Sequence, residues 1–185
     1  MTDRESLQRV LLERSIERGD FVLASGRRSS YYIDCRRTTM SAEGQVLIGR
    51  MGWSAIRNAG WRATAVGGLT MGADPVAYAI AGASYGSDHA IDAFSVRKQP
   101  KQHGTGRQIE GNFQPGDRVV IVEDVITSGQ SALQAVSTVE QAGGKVLGVL
   151  AVVDREEGGR RSIEARGYQV IALTSVRDLG VGEPT

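Results

Sequence analysis

Apolar positions along this chain keep two periods, and their alternation predicts the architecture. Leu7, Val10 and Leu11 stand at i, i+3, i+4 spacing and predict a helix over 3–18. The segment FVLASGRRSSYYID (21–34) reads as two short strands around a Ser-Gly turn. Ser41, with Glu43 just inside, predicts the N-cap of a second helix running to Asn58. ATAVGG predicts a strand that stops at a glycine pair, GADPVAYAIAGA a helix, and AIDAFSV another strand. RKQPKQHGTGRQIEG (97–111) is too glycine-rich and polar for either element and predicts a loop. Val119 to Val122 form a strand, and Ala132, Ala135, Val136 and Val139 mark the buried face of the helix after it. VLGVLAVV and YQVIAL are two further strands, with a helix expected in the charged segment between them. Strands alternating with helices, the later strands nearly all apolar, imply an α/β fold with a mostly parallel sheet covered on both faces.

Length and composition narrow the picture. A chain of 185 residues forms one domain with a full core. Twenty-two basic residues against 21 acidic ones give no global reason to expect a nucleic-acid or membrane partner. No apolar run approaches the ~20 residues that span a bilayer, and the polar N-terminus is unlike a signal peptide. The lone Cys35 forms no intrachain disulfide and suits a reducing compartment, so a cytoplasmic location is expected. Glycines stand singly or in pairs between the periodic segments, where they serve tight turns and close backbone approach.

The chemistry concentrates in VVIVEDVITSGQS (119–131). Its apolar strand runs into two carboxylates, Glu123 and Asp124, then Val125 and Ile126, then Thr127, Ser128, Gly129, Gln130 and Ser131. In a parallel sheet, ligands bind beyond the carboxyl ends of the strands. Amide groups and hydroxyls at a helix start bind phosphate. Carboxylates just before them suit sugar hydroxyls, a developing cation, or Mg²⁺ held through water. Either half alone reads more simply, as a solvated acidic loop or an N-cap. Their order together describes a site for a ribose 5-phosphate. The lysine and spacing of the nucleotide P-loop are absent, and no G-x-G-x-x-G opens a βα unit.

These thirteen residues resemble the signature of the type I phosphoribosyltransferases, which use 5-phosphoribosyl 1-diphosphate (PRPP). Segment 97–111, with Arg97, Lys98, Lys101, His103 and Arg107, resembles the catalytic loop of the orotate phosphoribosyltransferases. There it closes over the neighbouring subunit's site, which implies a homodimer with a shared lid. Residues 21–34 resemble that family's N-terminal hood over the pyrimidine, which implies that Tyr31 and Tyr32 lie near orotate. Arg155 matches the arginine that meets the orotate carboxylate, and Thr127 the residue that contacts both ligands. The implied fold is the type I phosphoribosyltransferase fold: helix and hood over 1–40, and an α/β core over 41–185 carrying the lid. Two cations found in some relatives are missing, since Ala24 precedes the Ser-Gly and Thr70-Met71 stands in GGLTMGADP. Backbone amides of 68–73 would then hold the diphosphate.

The resemblance implies transfer of the phosphoribosyl group from PRPP to N1 of orotate in pyrimidine (UMP) biosynthesis, giving orotidine 5′-monophosphate and diphosphate. Arg97, Lys98, Lys101 and His103 are expected on the diphosphate, and Glu123 and Asp124 on the ribose. Val125 to Ser131 are expected to wrap the remainder of PRPP. Mg²⁺ is expected through PRPP and water near Asp124, without a direct protein ligand. A purine or uracil phosphoribosyltransferase would share residues 119–131. So would a PRPP-sensing regulator, but it needs a DNA-binding region, for which this balanced chain leaves no obvious room.

Overall fold

The computed structural model describes residues 1–22, 26, 28–99 and 108–181. Helix α1 (Asp3–Arg14) is opened by a capping box, in which Thr2 and Glu5 satisfy each other's backbone amides. It stops four residues short of the expected end. Residues from Ile16 onward are instead drawn into β1 (Ile16–Val22), which pairs antiparallel with β2 (Arg28–Ile33), Ile16 opposite Ile33. Sheet pairing overrides helical periodicity there. A short helix absent from the sequence reading, α2 (Arg36–Thr39), leads to α3 (Ala42–Asn58), whose N-cap is Ser41 as expected.

The remaining elements are β3 (Ala65–Leu69), α4 (Ala73–Ser84), β4 (Asp92–Val96), β5 (Ile109–Gly111), β6 (Arg118–Ile126), α5 (Gln130–Gln141), β7 (Lys145–Asp154), α6 (Gly159–Glu164) and β8 (Val170–Ser175). Among the described residues they form a six-stranded sheet in the order β5-β4-β3-β6-β7-β8. Every neighbouring pair is parallel except β4 and β5. Strand β5 corrects the reading of 97–111 as all loop: Ile109 and Glu110 complete an edge ladder against Val96 and Ser95. Three polar or small residues in four gave no strand period, and pairing alone holds them there.

Central strand β6 divides the core. Val120 and Val122 face α1, α3 and α4, packing with Leu7, Ile48 and Val76. Val119 and Ile121 face α5 and α6, packing with Ala135, Val139 and Ile163. Each such fully buried side chain stabilises by roughly 1.5–3 kcal/mol. The two-residue period has a consequence at the strand end: Glu123 continues the α5 face and Asp124 the α3–α4 face. The two side chains of one motif thus leave the strand on opposite sides, and a ligand beyond the strand end is what could reach both.

Candidate active site

Strand β6 stays paired with β7 past the acidic residues, Glu123 opposite Ala151 and Val125 opposite Val153. The carboxylates are therefore held on rigid backbone. Glu123 is only 6% exposed, and its Oε1 has no hydrogen-bond partner among the described residues. Burial, and secondly the charge of Asp124, push its pKa up to about 8. A buried polar atom without a partner is costly, so this oxygen is poised for a donor or a cation. Burial also raises Asp124, opposed by the Val125 amide, which donates to its Oδ1 at 2.9 Å. Gly72 meets this carboxylate from the β3–α4 turn, where an added Cβ would stand 2.5 Å from Asp124 Oδ1. Only glycine permits that approach.

After Ile126 the chain turns through Thr127 and Ser128 to Gly129, whose φ of 80° is left-handed and favours glycine. Gly129 is the N-cap of α5 and offers no side-chain cap. The Gln130 amide reaches Ser128 Oγ at 3.5 Å, and the amides after it in the first turn keep their donors for an outside acceptor. The hollow there is lined by Glu123 and by residues 125–132, so a buried carboxylate and the helix-start amides share one wall.

A second cavity of about 570 Å³ lies beyond β3 and β4, among Thr70, Met71, Ser95, Arg97, Lys98 and Glu110. Its rim is the root of the expected lid. Arg97 exchanges hydrogen bonds with Gln108, its amide donating to the Gln108 carbonyl and its carbonyl accepting from Gln108 Nε2, both at 2.9 Å. Its guanidinium pairs with Glu110 at 3.2 Å, where the sequence reading expected it on a diphosphate. Lys98 is tethered by its carbonyl to Gln134 Nε2 at 2.9 Å. Lys101 and His103 lie outside the described residues, as does Ala24.

The third part of the site comes from β2 and β7. Tyr31 is buried and Arg155 lies over its ring at 5.1 Å, an arrangement that favours a cation. The Arg155 amide donates to the Ile126 carbonyl, which places it beside Thr127. Its Nη2 pairs with Glu157 at 2.9 Å, while its buried Nε has no partner among the described residues. Tyr32 does not share this face. Successive strand residues point opposite ways, and Tyr32 is half exposed against Phe21, ring centroids 5.8 Å apart. That alternation was available in the sequence and separates the expected pair.

Two further groups stand here that the sequence reading missed. Asp34 binds Arg36 at two points, Nε to Oδ1 at 2.8 Å and Nη2 to Oδ2 at 3.2 Å. That pairing holds the Asp34 carboxyl below its usual range. Buried Cys35 lies within the fields of Asp124, Asp34 and Arg155 at once. Burial first, then the two carboxylates, push its thiol up, so it stays protonated. One neighbourhood therefore joins Asp124 to the aromatic-guanidinium pair.

Among the described residues no group of three or more His, Cys, Asp or Glu side chains could hold a metal ion. Two adjacent carboxylates, one with an orphaned oxygen, do suit a divalent cation whose other ligands come from a diphosphate. No described helix is long and apolar enough to cross a membrane.

An α/β domain with carboxylates and a phosphate nest at one strand end defines a phosphoribosyl-transfer architecture. The family model of the phosphoribosyl transferase domain matches residues 42–172. The orotate phosphoribosyltransferase of Aquifex aeolicus is 46% identical over 182 residues, covering 97% of this chain and 98% of that protein. That of Rhodopirellula baltica is 43% identical over 183 residues, covering 97% and 95%. A crystal structure of the Mycobacterium tuberculosis orotate phosphoribosyltransferase in complex with PRPP matches with a TM-score of 0.82 and 41% identity, over 97% of this chain and 99% of that one. The chain belongs to the orotate phosphoribosyltransferases of the phosphoribosyl transferase family.

Proposed function

We propose that the chain transfers the 5-phosphoribosyl group of PRPP to N1 of orotate, giving orotidine 5′-monophosphate and diphosphate in pyrimidine (UMP) biosynthesis. The observation that carries this reading is the placement of the Tyr31–Arg155 pair beside the strand end that bears Glu123 and Asp124. A planar anion with a ring and a carboxylate fits the first, and a ribose phosphate fits the second.

On this reading the Thr127–Ser131 turn and the first amides of α5 take the 5′-phosphate. Asp124 and Glu123 accept hydrogen bonds from the ribose hydroxyls. Their charge also stabilises the positive ring that forms as the bond from C1 to diphosphate breaks. The Arg155 guanidinium holds the orotate carboxylate as a fork, Tyr31 bounds the ring, and Thr127 lies between the two ligands. Asp124 and Glu123 would hold Mg²⁺ through water, where it would supply positive charge to the leaving diphosphate. Arg97 and Lys98 stand at the rim of the diphosphate cavity, and Lys101 and His103 close over it. Closure excludes the water that would hydrolyse PRPP. No nucleophilic side chain takes part.

A homodimer with lids exchanged between subunits belongs to the same reading. Supporting it, Met71 on the cavity's wall is exposed, as are Tyr78 on α4 and Tyr85 at that helix's C-cap. A second copy would cover these side chains and deliver its lid to that cavity. Cys35 as a buried free thiol supports a reducing, cytoplasmic setting.

The test is a spectrophotometric assay with PRPP and Mg²⁺, using orotate and then adenine, hypoxanthine and uracil. Loss of orotate absorbance that requires both PRPP and metal is the expected result. Turnover of another base instead would discard the Arg155 assignment. PRPP binding without turnover of any base would leave a PRPP sensor.

A further inference from the structure

Arg155 sits on a turn whose shape depends on its neighbour. Asp154 ends β7 with its side chain buried, 3% exposed, in a mostly apolar layer. A carboxylate there is retained only if its oxygens are occupied, and both are. Its Oδ1 accepts the Glu156 amide at 2.8 Å, an Asx-turn across Arg155. Its Oδ2 accepts Arg160 Nε at 2.8 Å, and Arg160 Nη1 donates in turn to the Val170 carbonyl at 2.7 Å. Glu156 is the one non-glycine residue with positive φ among the described residues, at 55°. A side chain adopts that region at a cost, and the Asx-turn is what holds it. The backbone of Asp154 is fixed as well, since its carbonyl accepts the Val176 amide.

The chain on either side of Arg155 is thereby locked: Arg155 N–H to β6, Asp154 to β8 and α6, Glu156 in a left-handed bend. The lock aims the guanidinium across the sheet end at Tyr31 rather than into solvent. We propose that Asp154 is a positioning residue for recognition of the acceptor carboxylate, acting through Arg155 and braced by Arg160. It touches no ligand. This rests on the orotate reading above and adds to it a determinant of acceptor affinity outside the pocket.

The experiment compares KM for orotate, KM for PRPP and kcat in wild type, Asp154→Ala, Asp154→Asn and Arg160→Gln. Misplacement of a binding group by about 1 Å costs on the order of 10²-fold. Asp154→Ala is therefore expected to raise the orotate KM by about 10- to 100-fold. The PRPP KM stays within about twofold, because the β6–β7 ladder that sets Ile126 opposite Asp154 is made by backbone and survives the substitution. Asp154→Asn keeps the acceptor for the Glu156 amide and falls between wild type and Ala. If the alanine variant does not fold, Asp154→Asn and Arg160→Gln carry the comparison. Equal rises in both KM values, or an unchanged orotate KM in the folded variants, would overturn the proposal.

Failure of the orotate reading is distinguishable, since wild type would then leave orotate unconsumed. The placement of Arg155 is in that event read from its buried Nε–H by ¹⁵N NMR. Slow solvent exchange in wild type and fast exchange in the folded variants is expected. The same protection in both would overturn it.

Discussion

Glu123 to Ser131 are consecutive residues at one strand end, whereas Tyr31 and Arg36 stand far from Arg155 in the chain. Both regions lie at the carboxyl ends of β6 and β7, yet they are built on different plans. The ribose-phosphate end needs only a strand, a left-handed glycine and a helix start, so local chain geometry shapes it. The base end needs β2 laid over the sheet, α2 after it and the turn after β7. Tertiary packing alone assembles it.

The largest effect is expected at neither end but at Lys101 in the proposed lid. Lys101→Ala should slow turnover by about 10²–10³, the usual loss for one preorganised charge partner of a transition state. An unaltered kcat in a folded variant would remove the lid from the account. Mixing Lys101→Ala with Asp124→Ala subunits should regain activity through hybrid dimers. Proven exchange without recovery would argue against a shared site.

Arg155→Ala comes next and should strike the base end alone. A charged hydrogen bond contributes roughly 1.5–3 kcal/mol, so the orotate KM should rise about 10- to 100-fold. The preference for orotate over uracil, which lacks the carboxylate, should shrink with it. Steady-state kinetics on both bases decide this. Gly72→Ala is the counterpart at the ribose end. Its methyl would stand 2.5 Å from Asp124 Oδ1, and overpacking of that kind costs about 1–3 kcal/mol. The PRPP KM should rise about tenfold with orotate affinity kept.

The same contrast explains what could be read in advance. Residues 119–131 could be read as a candidate site because strand, carboxylates and a helix-start turn follow one another in the chain. The helix starting at Ser41 and the parallel sheet were equally plain, from a cap and from apolar runs. By contrast, Asp34, Arg36 and Asp154 gave no local pattern, since their partners are set by the fold or by a short turn. Tyr31 and Tyr32 looked alike as a pair, and only the strand's alternation divides them. The early end of α1 and the edge strand β5 escaped for a related reason: cross-strand partners decide them, and periodicity does not see partners.

The smallest effect concerns protons at the ribose end. Glu123 in the folded chain holds its proton up to about pH 8, against 4.5 for an ordinary glutamate. Between those values the folded state binds the extra proton, so stability falls as pH rises through this window and levels off above it. Denaturant melts of the ligand-free chain at pH 5 and pH 8 should show the loss, and Glu123→Gln should flatten that dependence. A hydrogen-bond donor or cation arriving at Oε1 favours the ionised form. PRPP with Mg²⁺ should accordingly release protons near neutral pH, measured by calorimetry in buffers of different ionisation enthalpy. Uptake instead of release would contradict the role given to Glu123.

The most direct test of the two-part site is a crossed kinetic measurement, KM for orotate and for PRPP in Arg155→Ala and in Gly72→Ala. The account predicts that the first variant loses orotate affinity and keeps PRPP affinity, and that the second does the reverse. Parallel losses of both substrates in both folded variants would contradict it.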